Sequence, residues 1–350
     1  MKDLIKKLTL AFGVSGFENE ISEIVREELG SISDISKDKI GNIYCKMKNG
    51  KRNPKIVFIA HMDEIGFMVS DILPSGHLKL QTIGGWNPAT LQSSKVIIKT
   101  NTGKRIVGII GSIPVHFLGK NQSLPKTEDM FVDIGATSYQ DVLENFQIRL
   151  GDPVIPYTDF HFSNQNNRIF SKAFDDRIGV AAMIETAKQI TEHPNEVLFI
   201  GSVQEEVGAR GSIVVSHNVD ADAVIVLEGA PADDFPFSSK KPQTAVGNGA
   251  HIRLYDPSMI ANKELAKFII HTAEKNNIKY QVAVRKSGGT DGRYMHTAFM
   301  GIPAIVLGVP VRYAHSHNGV ISLDDFKNLV DLLNAFIMEF DEEAAAKLTD

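Results

Sequence analysis

Thiols are almost missing from this chain. Cys45 is the single cysteine among 350 residues. No internal disulfide can form, and no zinc cluster built on several thiolates is possible. A bound metal must therefore rest on His, Asp and Glu, which number 11 His and 42 acids. A basic surplus is missing too: Lys and Arg total 37, and the formal charge is −5. Nucleic acid and anionic membrane both favour a basic surface, so neither is an expected partner. No apolar run approaches the roughly 18 residues of a membrane span. The N-terminal stretch MKDLIKKLTLAFGVSGFENE has no long apolar segment followed by a cleavage site. Its Leu4, Ile5, Leu8, Leu10 and Phe12 are spaced as an amphipathic helix. Repeats and low-complexity tracts are absent as well. A reduced, cytoplasmic protein is the expectation.

What is present is an ordinary core-forming composition, 43% apolar and 23% charged. The length suggests about two domains. Ser15 to Glu18 has the form of a capping box before a helical pattern at Ile21, Ile24, Val25 and Leu29. Strands are expected at 40–48 and at 55–60, the second running into His61. From 67 to 160 the texture changes to short β-like runs between Gly, Pro, Asn and Ser turns, with one helical stretch near 138–146. This predicts a small β-rich module, 67–160, inserted into a domain formed by 1–66 and 161–350. After 165, strands at 168–174, 196–203, 222–227, 279–285 and 303–308 alternate with helices at 178–192, 262–276, 291–299 and 323–344. Such alternation predicts an α/β fold: a mainly parallel sheet with helices on both faces.

Five of these strands run into a side chain able to hold a metal: His61, Asp175, Glu206, Glu228 and His315. Ligand sites in open parallel sheets form outside the carboxyl ends of the strands, so the five can converge. Two imidazoles and three carboxylates suit a two-metal hydrolytic centre, one carboxylate bridging and each metal taking one His and one further acid. Each residue alone has a plainer reading. Asp175 and Asp176 precede a helix that either could cap, and Glu228 could be a loop acid. Glu205 and Glu206 are adjacent acids beside an apolar strand, which repel unless a cation or partner is near. Neighbours on an extended segment point opposite ways, so one can hold metal while the other serves as general base. Asp63, two residues beyond His61, could orient a ligand.

With these residues in place, the sequence resembles the dinuclear metal aminopeptidases that include glutamyl aminopeptidase and the deblocking aminopeptidases, some of them labelled cellulase M or endoglucanase. The resemblance lies in GVSGFE (13–18), DKIGN (38–42), AHMDEIGFMV (60–69), EDMFVDIGATS (128–138), GDPVIP (151–156), KAFDDRIG (172–179), VQEEVGARG (203–211), SGGTDG (287–292) and RYAHS (312–316). It implies that His61, Asp175 and Glu228 hold one metal and that Asp175, Glu206 and His315 hold the other. Glu205 would be the general base, with Asp63 beside it or orienting His61. It further implies two divalent ions per subunit, with zinc or cobalt ahead of manganese, an inserted β-barrel or PDZ-like domain, and assembly into tetrahedral dodecamers. Two departures stand out. The family often has Asp where this chain has Glu228. It also follows RYxHS with a Pro-x-Glu type of sequence where this chain has His317, which makes His317 a rival of His315. His116 in the inserted module is read as structural or interfacial.

The expected reaction is removal of N-terminal residues from peptides with a free amine, by a metal-bridging water with Glu205 as base. An N-deacylase or carboxypeptidase would use the same chemistry. A glycosidase would need two carboxyls at a set separation and would have no use for His61 or His315. A shell-forming protein with a dead site would have lost a ligand or the base.

Overall fold

A computed structural model describes residues 1–117, 126–237 and 241–349. Its body is a nine-stranded sheet. The order runs Ser33–Lys37, Ile43–Met47, Glu196–Ser202, Lys55–His61, Ala223–Pro231, Ala304–Val311, Ala250–Asp256 and Met259–Ile260, with Tyr280–Val284 also paired to Ala250–Asp256. The four central strands are parallel. Their sequences, such as IVFIA and AVIVL, are apolar without alternation because both faces are covered. Ile43–Met47 and Ala250–Asp256 join them antiparallel. On one face the helices Phe174–Gln189 and Leu323–Glu339 pack with the N-terminal helices around Phe58, Phe199, Ile225 and Leu307. On the other, Arg210–Asn218 and Gly292–Met295 cover Val57, Ile59, Val224 and Val306. The fold is thus α/β, mostly parallel, with helices on both faces.

Between Lys55–His61 and the helix Phe174–Gln189 the chain forms a closed six-stranded barrel. Its order is Gly66–Ile72, Leu78–Ile83, Phe131–Asp133, Arg105–Ile110, Lys95–Lys99 and Pro153–Pro156. Alternating side chains of these strands fill its interior, among them Phe67, Val69, Leu78, Val96, Ile98 and Val132. Lys99 and Arg105 on the barrel bind Glu20 on the helix Asn19–Leu29, at 2.9 and 2.6 Å.

Several expectations are corrected. The Ser15–Glu18 segment does not act as a capping box. The helix starts at Asn19 without a side-chain cap bond, because Ser15 Oγ donates instead to the buried acid Asp63 at 2.6 Å. The strand before Asp175 stops at Ser171 and belongs to a separate three-stranded antiparallel sheet with His161–Ser163 and Gly319–Ser322. The helix expected at 291–299 is only Gly292–Met295. The expected 323–344 helix breaks at Phe340, whose extended backbone separates Leu323–Glu339 from Glu342–Ala346. The helix Arg210–Asn218 and the strand Ala250–Asp256 were not expected.

Candidate metal centre

The carboxyl ends of the parallel strands assemble the site. His61 closes Lys55–His61, Glu228 lies near the end of Ala223–Pro231, and Glu205 and Glu206 follow Glu196–Ser202. His315 follows Ala304–Val311 on a loop where Tyr313 and His315 both take left-handed backbone, φ 61° and 58°. Non-glycine residues hold such angles when the surrounding structure imposes them, often at functional sites. Asp175 enters from the small antiparallel sheet at the head of Phe174–Gln189. Regular helix begins only behind Asp176, whose Oδ1 accepts the Gly179 amide at 2.9 Å. Asp176 therefore takes the capping role and Asp175 is free to face the site.

Asp175 is central. Its Oδ1 lies 3.2 Å from His61 Nε2, and its Oδ2 lies 3.4 Å from His315 Nε2. Glu228 Oε2 is 4.0 Å from His61 Nε2, and Glu206 Oε1 is 3.7 Å from His315 Nε2. Each imidazole is turned by a backbone carbonyl. His61 Nδ1 faces Asp63 O at 3.2 Å, and His315 Nδ1 faces the barrel residue Gly85 O at 2.9 Å. A carbonyl only accepts, so Nδ1 carries a proton in both rings, and it is Nε2 that each ring turns to the acids. A lone pair facing a carboxylate oxygen at 3.2 Å needs a proton or a cation between them. The donor set thus fits divalent metal, and potential ligand atoms of His61, Asp175 and Glu206 lie within 4.8 Å of one another. Those of His61, Asp176 and Glu228 do so too. However, both Asp176 oxygens already accept amides, from Gly179 and from His61 itself at 3.2 Å.

The electrostatics agree. Burial, with the charges of Asp175 and Asp176, holds the Glu228 carboxyl well above the ordinary range. Burial and the Asp175 charge push Glu206 up to about 7. Burial raises Glu205 as well, helped by Asp291, Glu206 and Asp63. For His315 burial opposes protonation, but the Asp175 hydrogen bond and the Glu206 charge win and raise it to about 10. Crowded acids that bind protons this readily are the environment a cation relieves.

A supporting layer surrounds the ligands. Asp63 Oδ1 and Oδ2 accept the amides of Glu205 and Glu206 at 3.0 and 3.1 Å. The next residue, Glu64, pairs with buried Lys172 at 2.6 Å and with Arg177 at 3.3 Å. Arg177 also donates to the carbonyls of Leu8 and Gly13 at 2.8 and 2.9 Å. This buried ion cluster pins the His61–Glu64 turn to the N-terminal segment.

The structure gathers His61, Asp175, Glu206, Glu228 and His315, with Glu205 and Asp63 alongside. It keeps His317 out: that ring is buried, packs on Trp86 of the barrel with centroids 5.4 Å apart, and is pushed down to about 4, mainly by burial. His116 is exposed on a short 3-10 turn of the inserted segment. Sequence reasoning missed Ser15, Glu18 and the buried Asp291, which accepts from Ser202 Oγ, whereas the capping role expected of one of the two adjacent acids falls to Asp176. The GVSGFE and SGGTDG segments held the signal, but the local reading of the first as a capping box concealed its part.

A parallel α/β sheet with two imidazoles and several buried acids at its carboxyl edge defines a metal-dependent hydrolase. The family model described as M42 glutamyl aminopeptidase matches residues 41–332. The chain belongs to that family, and it is a metal-dependent aminopeptidase. It is 33% identical to the glutamyl aminopeptidase of Lactococcus lactis over 99% of this chain and 98% of the relative. Its structure is similar to a TET aminopeptidase from a marine-sediment thaumarchaeote, with a TM-score of 0.94 and 37% identity over 99% and 98% of the two chains. It is also similar to the TET1 peptidase of Pyrococcus horikoshii, with a TM-score of 0.86 and 31% identity over 96% and 99%. That peptidase can assemble into a tetrahedron or a large octahedral shell. Among the described residues, no helix is long and apolar enough to cross a membrane.

Proposed function

We propose that the chain removes N-terminal residues from peptides at a two-metal centre. His61, Asp175 and Glu228 would hold one ion and Asp175, Glu206 and His315 the other. One observation carries this reading: the two oxygens of a single carboxylate, Asp175, face two different imidazole nitrogens at 3.2 and 3.4 Å. Zinc, cobalt or manganese bound there supplies Lewis acidity that polarises the scissile carbonyl and makes water more acidic. The side chains do the rest. Glu205 sits on the amide that Asp63 holds, and its raised proton affinity suits a base that must keep a proton during reaction. Its carboxylate takes a proton from the attacking water as the C–O bond forms, then gives it to the departing amine nitrogen as the C–N bond breaks. The acids of the cluster favour a substrate with a free, positively charged α-amine.

Assembly of copies into a closed shell, such as the tetrahedral dodecamer, belongs to the same reading. The exposed apolar residues Val107 and Ile109 on the barrel and Phe299 and Met300 on the body support it. So does a division into a catalytic domain, 1–66 and 161–350, and an inserted barrel domain, 67–160. A cytoplasmic setting rests on the lone thiol, Cys45, which is buried and free.

Glu205→Gln tests the mechanism. The variant is expected to keep its metal content by elemental analysis and to lose at least about a hundredfold in kcat on aminoacyl chromophores. Near wild-type turnover with metals retained rejects the role. Blocked and free-amine peptides in the same panel separate aminopeptidase from N-deacylase or carboxypeptidase action.

A further inference from the structure

Three consecutive amides carry the general base and its neighbour, and two carboxylates hold all three. Asp63 takes those of Glu205 and Glu206. The third, Gln204, donates to Glu18 Oε1 at 3.0 Å, across 186 residues of sequence. The same oxygen accepts the Gly16 amide at 2.7 Å. Gln204 has left-handed backbone, φ 57°, a conformation a glutamine holds only under constraint.

The placement of Glu18 is otherwise costly. It stands at the N-terminal boundary of the helix Asn19–Leu29, where an acid normally bonds its own helix, yet it makes no such cap bond. It is 6% exposed. Burial and the nearby Asp63 charge both work against its ionised form and push it up to about 7. A buried acid kept beside another acid, and turned away from its own helix, is paid for by what it holds. Its own segment is fixed in turn: Ser15 donates to Asp63, and Arg177 grips the Gly13 carbonyl.

We propose that Glu18 is a positioning residue for Glu205. It clamps the Gln204 amide, sets the left-handed turn before the base, and so fixes where the Glu205 carboxylate meets the attacking water. The N-terminal segment 13–18 is then part of the catalytic apparatus. This rests on the aminopeptidase reading for the role of Glu205, but the clamp itself is a property of the fold.

The test compares Glu18→Ala with Glu18→Gln in the metal-loaded full-length protein. The amide oxygen of glutamine can still accept the Gln204 N–H, whereas alanine cannot. Loss of a hydrogen bond to a charged acceptor is expected to lower kcat of Glu18→Ala by about ten- to a hundredfold. KM should stay within about threefold, metal content should be unchanged, and Glu18→Gln should recover most of the turnover. Hydrogen exchange by mass spectrometry across residues 203–209 provides a readout without substrate: faster exchange in Glu18→Ala, near wild-type exchange in Glu18→Gln. Unchanged exchange and turnover in Glu18→Ala overturn the proposal. So does a turnover loss that simply follows lost metal or a lowered melting temperature. A wild-type protein that cleaves no peptide would sink the aminopeptidase reading instead, while the exchange data still decide the clamp.

Discussion

Gly229 offers a strict test of the centre, because its missing side chain is what lets Asp175 come close. It follows Glu228 on Ala223–Pro231. A Cβ built there would lie 2.5 Å from the Phe174 carbonyl oxygen and 2.8 Å from both N and Cα of Asp175. All three obstacles are backbone atoms, so no rotamer change relieves them. To reach ordinary contact at 3.4 Å, the Phe174 carbonyl must retreat by about 0.9 Å and the Asp175 backbone by about 0.6 Å. Asp175 is shared between two imidazoles at 3.2 and 3.4 Å, and a shift of that size spoils at least one of the two approaches. A misplacement near 1 Å costs on the order of a hundredfold in rate, and overpacking a core costs about 1–3 kcal/mol. Gly229→Ala is therefore expected to fold with a lower melting temperature, bind metal more weakly by titration calorimetry and lose about a hundredfold in kcat/KM. Wild-type metal affinity together with turnover within about twofold would refute the argument that this close approach sets the position of Asp175.

Three further outcomes follow from named contacts. Burial opposes ionisation of Glu20, but the Arg105 and Lys99 hydrogen bonds outweigh it and lower it to about 2, against an ordinary 4.5. A folded-state value below the unfolded one gives stability that is present above about pH 4.5 and lost as pH falls through about 2. The melting-temperature gap between wild type and Glu20→Gln should thus be widest above pH 5 and close toward pH 2; a gap independent of pH contradicts the pairing. His315→Ala should lower the metal content measured by elemental analysis. His317→Ala should keep the metal and lose only the packing on Trp86, seen as a lower melting temperature, and the opposite pattern would make His317 the ligand.

How much of this was legible beforehand depends on how local the cause is. The apolar runs at 55–60 and 222–227 reveal parallel strands because burial on both faces removes alternation. The lone cysteine confines metal chemistry to His and acids, and the motifs order those residues along the chain. Ser15 to Glu18 shows the limit. Its local pattern satisfies a capping box, yet both side chains are taken by partners far away in sequence, Asp63 and the Gln204 amide. The break at Phe340 is hidden for the same reason, since an apolar periodic stretch does not show where the backbone leaves the helix.

The sequence by itself therefore determined which residue types could do chemistry, the α/β class, and the texture change that marks the barrel. Only the tertiary structure decided that Asp175 stands between the two imidazoles, that Asp176 caps its helix, that His317 turns into the barrel contact, and that Glu18 reaches the base. The reason is physical. Residue identity fixes what a side chain can bind, but hydrogen bonds act over about 3 Å. Which groups come within that distance is set by strand order, by the close approach at Gly229 and by carbonyls such as Gly85 that turn a ring from outside its own segment.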